Sequence, residues 1–543
     1  MISSRKKLTA LLMSLLLLVL AGCSTTKAPA EAPKDQKAAE APKDSKPADA
    51  PQKGGSLTIG MMMTGLPTSD PQKARTISDM TIARLVAEPL VMWEDGKYVG
   101  VLAEKFDVSP DGLVYTFFLR KGVKYHNGKP VDAESIKQNF ARITNKEKPL
   151  YAAGTLSQVA SVDVVDASTV KITLKAVNPE FPMNLANVWM IEPQAAKEMG
   201  DGFDKAPVGV GPFKVKTFVP DQQIVLERNP EYWGGEALLD SIMIKPIPDA
   251  DTLVMELRSG TVDMITFLPM KDVVALKEAN FQMLPFVRVN LAYVTFNNKT
   301  LSDVRLRKAI AYALDRSAIL KTAYNGQGKL TKHIALEGTY AFNNQVKGYD
   351  FNPNEAKKIL DEAGWKDTNN DGIREKDGQK MKFEIATNNG NKLREQSAVI
   401  IQQALKKLGI EVTINLMEWN AFLDHVDSDK KQAYILGWSL GFDPDAHSIF
   451  HTEGGFNMMH GYSNKTVDEL IEKGRVTTDL NERKKIYGEM QQILSEEQVY
   501  TWLYFANTNM GLNTRIKGAK NGSPNGLMWN FEEWWIADSK AAN

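Results

Sequence analysis

The first candidate for a chemical role is a serine that lies between two glycines, as a nucleophilic serine often does. Gly437-Trp438-Ser439-Leu440-Gly441 has the Gly-x-Ser-x-Gly spacing of a nucleophile elbow, which needs a strand before the serine and a helix directly after it. Residues 433–436 could supply the strand. Pro444 disfavours helical geometry at Asp443, so a helix can begin only beyond that point. We therefore expect no enzyme, and a secreted serine hydrolase is a remote alternative.

Oxygen-bearing side chains recur at alternate positions further upstream. Asp367, Asn369 and Asp371, followed by a glycine, match positions 1, 3, 5 and 6 of an EF-hand calcium loop. Position 12, where a glutamate is expected, is Gly378, and Asp377 precedes it. Two interpretations stay open. The loop is either a structural calcium site or an exposed turn between a helix and a strand, and neither has a catalytic role.

Two histidines four residues apart raise the question of a transition metal. On a helix, His447 and His451 would share a face and could bind Zn²⁺ or Ni²⁺, with Glu453 and His460 nearby. However, no His-Glu-x-x-His motif is present, and the surrounding segment is polar and rich in glycine. The alternative is a group of exposed loop histidines.

The elements that must position these residues are a mixture of strands and helices. Alternating or β-branched runs predict strands at 55–60, 114–120, 161–165 and 169–174, and a turn at 127–128. Apolar residues at helical spacing predict helices at 133–142 and 354–363, the second closed by Gly364. Two further helices are predicted from their apolar faces, one formed by Leu306, Ile310, Ala313 and Leu314 after an N-cap at Ser302 or Asp303, and one by Ile486, Met490, Ile493 and Leu494. This mixture indicates an α/β architecture.

The first residues point to the compartment. Three basic residues at 5–7 precede an apolar run, 8–20, that is too short to span a bilayer but suits a signal peptide. The ending Leu20-Ala-Gly-Cys23 resembles a bacterial lipobox, in which the cysteine is acylated, and Cys23 is the only cysteine of the chain. Residues 24–53 are rich in Ala, Pro, Lys, Asp and Glu, which predicts a disordered tether between lipid and folded body.

Length and charge limit the remaining possibilities. A chain of 543 residues is too long for one core, so two or three domains are expected. Lys and Arg total 66, and so do Asp and Glu. Because a nucleic-acid-binding protein normally has a basic excess, we expect no nucleic-acid partner.

Four groups of motifs follow one another along the chain. They are Ala103–Gly112 with Tyr115–Gly128, Val210–Phe213 with Arg228–Gly235, Leu257–Asp263, and Phe296-Asn297 leading into Val304–Asp315. Together they resemble the family 5 extracellular solute-binding proteins, receptors for peptides, dipeptides and nickel. The resemblance implies a periplasmic-binding-protein-like (type II) fold with two lobes and an inserted accessory domain. Mapped onto this sequence, lobe one comprises 54–92, 207–300 and 506–543, the accessory domain 93–206, and lobe two 301–505.

The same resemblance implies where a ligand binds. Residues Trp438 to Gly441 form a ligand-facing strand, to whose edge an extended peptide adds, and Trp419 and Asn297 match further positions near the ligand. Peptide receptors of the enteric type carry an aspartate three residues after this tryptophan, which pairs with the ligand's α-amino group; here the residue is Gly441. Asp443 or Asp445 could substitute from the next turn, or they are turn and cap residues around Pro444.

The expected function follows from these points. The chain is predicted to be a monomeric lipoprotein on the outer face of the bacterial membrane, which captures peptides and delivers them to an ABC permease. No cofactor beyond a structural calcium ion is expected. The alternative ligand is a metal chelate such as nickel, an opine or a sugar.

Overall fold

One large mixed sheet runs through most of the folded chain. The computed structural model describes residues 50–66, 68–94, 97–441, 443–520 and 530–537. Within these ranges the strands are β1 Ser56–Met61, β2 Val91–Glu94, β3 Lys97–Gly100, β4 Ala103–Val108, β5 Val114–Leu119, β6 Val159–Asp166, β7 Thr169–Leu174, β8 Phe213–Val219, β9 Gln223–Arg228, β10 Ser241–Pro246, β11 Met264–Leu268, β12 Gln282–Phe296, β13 Gly328–Leu330, β14 Glu375–Lys376, β15 Gln379–Lys380, β16 Lys382–Asn388, β17 Glu411–Met417, β18 Ala433–Ser439, β19 Tyr500–Leu512, β20 Ile516–Lys517 and β21 Trp535–Ile536.

The helices of the described residues cover the sheets. They are α1 Ile77–Val86, α2 Ala133–Ile143, α3 Phe181–Leu185, α4 Pro193–Met199, α5 Ala250–Ser259, α6 Val273–Glu278, α7 Val304–Ala313, α8 Arg316–Tyr324, α9 Pro353–Glu362, α10 Lys392–Lys406, α11 Trp419–Asp427, α12 His447–Phe450, α13 Lys465–Val476 and α14 Leu480–Glu496. Across this part of the chain, none is long and apolar enough to cross a bilayer.

The eleven-stranded sheet has the order β17-β16-β18-β12-β19-β11-β1-β10-β9-β8, with β13 on β19. Two long antiparallel strands, β12 and β19, hold it together. One end of β19 pairs with β11, while β18 pairs with the carboxyl-terminal half of β12. Because β12 and β19 continue from one group of strands into the other, they connect two separate hydrophobic cores.

Those cores are built from different segments. Apolar side chains of β1, β9, β10 and α1 form one core, and side chains of α7, α8, α10 and β16 form another. A separate four-stranded sheet, β4-β5-β7-β6, packs with α2 around a third core. The predicted domain boundaries stay a prediction.

Local signals in the sequence account for the helix ends. The side chain of Asp303 accepts a hydrogen bond from the Arg305 amide and caps α7. Asn352 caps α9 in the same way, and Gly364, at φ +88°, follows its end. The strands and helices predicted from periodicity are present, and the boundaries that were predicted are shifted by at most two residues. Residues 1–49, which include Cys23 and nearly all of the tether, lie outside the described residues.

Candidate functional site

A cleft of about 620 Å³ opens where β12 and β19 pass between the two groups of strands. Its floor is formed by these two strands. One wall is Phe267–Met270 at the end of β11, and the other is formed by the ends of α8 and β18 and the start of α10. The cleft therefore lies between the two halves of the large sheet.

The wall formed by β18 has an unpaired edge. β18 pairs with β12 as far as Ser439. On its other side, β16 pairs only with Ala433 and Tyr434, and the Thr387 hydroxyl donates to the Ile435 carbonyl oxygen at 3.0 Å. From Leu436 to Ser439, no described strand covers this second edge. An extended chain could add here through main-chain hydrogen bonds.

Trp438 is half-buried in this wall. Its indole Nε1–H donates to the Tyr500 hydroxyl at 3.3 Å, and its ring lies 5.0 Å from that of Phe456. Ser439, which is exposed, also lines the cleft. Leu440 and Gly441 follow the end of the strand and do not line the cleft. Leu440 packs against a hydrophobic core.

The segment after Ser439 lacks the helix that a nucleophile elbow needs. Among the described residues of this segment, no helix begins until His447, eight residues beyond the serine. A helix N-terminus is therefore not in place behind Ser439 to support an oxyanion.

Asp443, which is predicted to contact ligand, lies in a buried ion pair. Its side chain is 6% exposed and forms an ion pair with Arg483, whose side chain is 1% exposed. The Tyr340 hydroxyl donates to the same carboxylate at 2.6 Å. Asp443 does not line the cleft, and its carboxylate is engaged by a buried cation. Asp445 accepts from the His447 amide at 3.0 Å, as the turn interpretation predicts.

Asn297 and Trp419 also lie outside the cleft lining. Asn297 is buried just beyond β12, where its amide donates to the Lys431 carbonyl and its oxygen accepts from the Lys299 amide. It is a strand-end cap, because both ends of its side chain are bonded to backbone. Trp419 is the first residue of α11, is 44% exposed and contacts Phe422.

Arg394 is a cleft residue that the sequence analysis missed. It lies in the first turn of α10, and its guanidinium donates to the Asn388 side chain at 2.7 Å. Within the described residues, no carboxylate lies within ion-pair distance of it, and burial lowers the pKa of Arg394. The sequence did contain a signal for Arg394. A cation in the first turn of a helix is disfavoured by the helix dipole, which suggests that the charge has another role.

The 367–377 loop brings three carboxylates together. Oxygens of Asp367, Asp371 and Glu375 lie within 4.8 Å of one another. The third carboxylate of the group is therefore that of Glu375, and not a side chain at position 377 or 378. The side-chain oxygen of Asn369 accepts from the Asp371 amide, and Lys380 forms an ion pair with Asp371 at 2.5 Å. These contacts match the turn interpretation, and calcium binding stays a prediction.

Comparison with known proteins identifies the family of this chain. Residues 97–457 match the model of bacterial extracellular solute-binding proteins, family 5. The oligopeptide-binding protein AppA of Bacillus subtilis is 32% identical over 98% of this chain and 100% of its own length. The heme-binding protein A of Haemophilus influenzae is 28% identical over 77% of this chain and 80% of its own length.

A solved structure extends the comparison to the fold. The Bacillus subtilis oligopeptide-binding protein AppA, in complex with a nonapeptide, has a TM-score of 0.60 and 30% identity to this chain. The alignment covers 90% of this chain and 100% of that structure. The predicted type II periplasmic-binding-protein fold is thereby confirmed. The chain belongs to the family 5 bacterial extracellular solute-binding proteins.

Proposed function

We propose that this protein captures peptides in the cleft between its lobes and delivers them to the permease of an ABC importer. The observation that carries the proposal is the unpaired edge of β18 beside the cleft. Main-chain hydrogen bonds along such an edge bind a peptide without reading its sequence. The names of the relatives in Bacillus subtilis and Escherichia coli, an oligopeptide-binding and a dipeptide-binding protein, support this ligand class.

Two side chains add affinity of different kinds. Trp438 offers a broad apolar face to whatever lies along the strand edge. Arg394 presents a cation without a carboxylate partner among the described residues, which suits a carboxylate or carbonyl group of a peptide. With Gly441 after the strand and Asp443 paired with Arg483, neither residue offers a free carboxylate to a ligand amino group. We therefore expect an unblocked amino terminus to add little affinity.

Thermal-shift measurements with two ligand panels test the ligand class. We expect peptides to raise the melting temperature, and amino-terminal acetylation to change this rise little. The second panel holds a nickel chelate, an opine, a sugar and heme, since one relative is a heme-binding protein. Mass spectrometry of the compound that co-purifies with the protein identifies the natural ligand. Stabilisation by the second panel alone would overturn the peptide assignment.

We also propose that a lipid on Cys23 anchors the protein to the outer face of the membrane. The support is the Leu-Ala-Gly-Cys ending after an apolar run, and the absence of any other cysteine in the sequence. Cys23→Ser should abolish incorporation of labelled palmitate and release the protein into the soluble fraction. A variant that stays on the membrane after a salt wash would contradict the anchor. Because Cys23 is the only cysteine of the sequence, no other thiol could carry the lipid in this variant.

A further inference from the structure

His447 and His451 differ from three other histidines of the described chain in what their rings contact. The rings of the half-buried His126 and of the buried His333 and His460 are bonded to backbone groups, and burial lowers the pKa of each to about 4. By contrast, His447 and His451 direct their Nε2 atoms at one carboxylate oxygen, Oε1 of Glu472. Two imidazoles therefore converge with one carboxylate.

The spacing of these donor atoms suits a small divalent cation. The His447 and His451 rings are stacked, with centroids 4.4 Å apart and planes 14° apart, so one ring must turn out of the stack before both Nε2 lone pairs can meet at one ion. Their Nε2 atoms lie 3.2 and 3.7 Å from Glu472 Oε1. In a tetrahedron with zinc–ligand bonds of about 2.0–2.1 Å, neighbouring donor atoms are roughly 3.3–3.4 Å apart. The observed separations lie on either side of this value.

Secondary structure holds the donors in place. His447 and His451 are the first residue and the C-cap of α12, and the Asp445 side chain accepts from the His447 amide. Glu472 belongs to α13, against which α12 packs. Between the two histidines, Ile449 and Phe450 are buried. Movement of the backbone that carries the two histidines is thus restricted by the core beneath it.

The group is open to solvent on one side. The His447 side chain is 28% exposed and that of Glu472 53%. Glu472 also lines a cleft of about 370 Å³ together with Glu180, Asp445 and Arg475. Arg475 contacts Glu472 at 3.5 Å but also pairs with Asp445 at 3.3 Å. It can therefore leave Glu472 without losing its charge partner.

Two residues that the sequence places near this pair are not donors. His460 is buried, and its Nε2 is bonded to the Ile449 carbonyl. The Glu453 backbone N–H donates to Nδ1 of His451 at 3.1 Å, which leaves the proton of a neutral His451 on Nε2. Binding of a cation at Nε2 requires this proton to move to Nδ1. The exposed Glu453 amide then turns to water, at a cost of about 1 kcal/mol.

We propose that His447, His451 and Glu472 bind Zn²⁺, or another divalent transition-metal ion, with water in the open position. This composition, two imidazoles and one carboxylate, occurs in zinc sites that keep an exchangeable ligand. None of the three residues lines the 620 Å³ cleft. The ion is therefore not the transported ligand but a link between α12 and α13, and it is independent of the proposed peptide binding.

Zinc titration of the chelator-stripped, full-length protein by calorimetry tests this proposal. We expect one Zn²⁺ per chain, with affinity reduced about 100-fold or more in His447→Asn and Glu472→Gln. This loss exceeds the roughly 10–100-fold cost of losing a residue that only hydrogen-bonds to a metal ligand. Cobalt should give the visible absorption of a tetrahedral site, absent in His451→Asn. Circular dichroism and melting curves in zinc-free buffer check that each variant is folded.

The chain offers a matched control. His425 Nε2 lies 3.1 Å from Glu384 Oε1, the same kind of contact without a second imidazole, so His425→Asn should leave zinc affinity unchanged. The proposal is overturned if the wild-type protein takes up no zinc, or if His447→Asn binds it as tightly. It is also overturned if Asp371→Ala or Trp438→Ala removes zinc binding, since the ion would then lie in the 367–377 loop or in the peptide cleft.

Discussion

Asp443→Asn is expected to lower the free energy of unfolding by about 3–5 kcal/mol, because it leaves a buried guanidinium without its counter-charge. The Arg483 side chain is 1% exposed. It also donates to the Tyr340 hydroxyl at 2.9 Å and to the Gly474 carbonyl at 2.9 Å. These neutral acceptors cannot replace the lost carboxylate. Urea unfolding, followed by circular dichroism, measures the loss.

A second carboxyl group near this pair does not change the expectation. Burial first, and then the charge of Asp443, raise the pKa of Glu180 to about 8. At neutral pH, Glu180 is therefore mostly protonated and repels Asp443 little. The attraction between Asp443 and Arg483 dominates the local electrostatics.

Asp445→Asn is the matched control for the Asp443 variant. Asp445 pairs with Arg475, whose side chain is 43% exposed. An ion pair of this exposure contributes about 0–1 kcal/mol. Folded Asp443→Asn should bind peptide like the wild-type protein. A variant with unchanged stability and weakened peptide binding would restore Asp443 to the ligand site.

The features that the sequence predicted correctly depend on residues that are neighbours in the chain. The cap of α7 at Asp303 and the end of α9 before Gly364 follow from side-chain and backbone preferences within one turn, and both are present. The absence of an elbow helix was also predicted from a local signal, since Pro444 disfavours helical geometry at Asp443, and the next described helix begins at His447.

The sequence did not predict which distant side chains pair. Asp443 was offered as a substitute for the aspartate that is missing at Gly441. The sequence did not show that it pairs with Arg483, 40 residues away on a helix whose face could not be oriented from periodicity alone. Glu472, the carboxylate facing the two histidines, lies on a different helix from His447. Arg394 reaches the cleft only because α10 begins beside β18. Each of these contacts depends on tertiary packing.

Trp438→Ala should weaken peptide binding by about 1–3 kcal/mol, or roughly 5- to 150-fold, if the indole is a contact anchor. The reason is its position. Trp438 lines the cleft, beside the strand edge that no described strand covers. Isothermal titration with one peptide measures the affinity, and the tryptophan fluorescence of the wild-type protein should shift on binding.

Stability separates this role from ordinary packing. Trp438 is half-buried and donates one hydrogen bond, to Tyr500, so its removal should cost clearly less than the 3–5 kcal/mol typical of a fully buried tryptophan. Trp419→Ala provides the control, since Trp419 is 44% exposed and lies outside the cleft lining. Its affinity should stay within about twofold of wild type, corresponding to less than ~0.5 kcal/mol. If Trp438→Ala instead binds peptide normally but is strongly destabilised, the indole is a core residue, and the peptide must lie against another wall of the cleft.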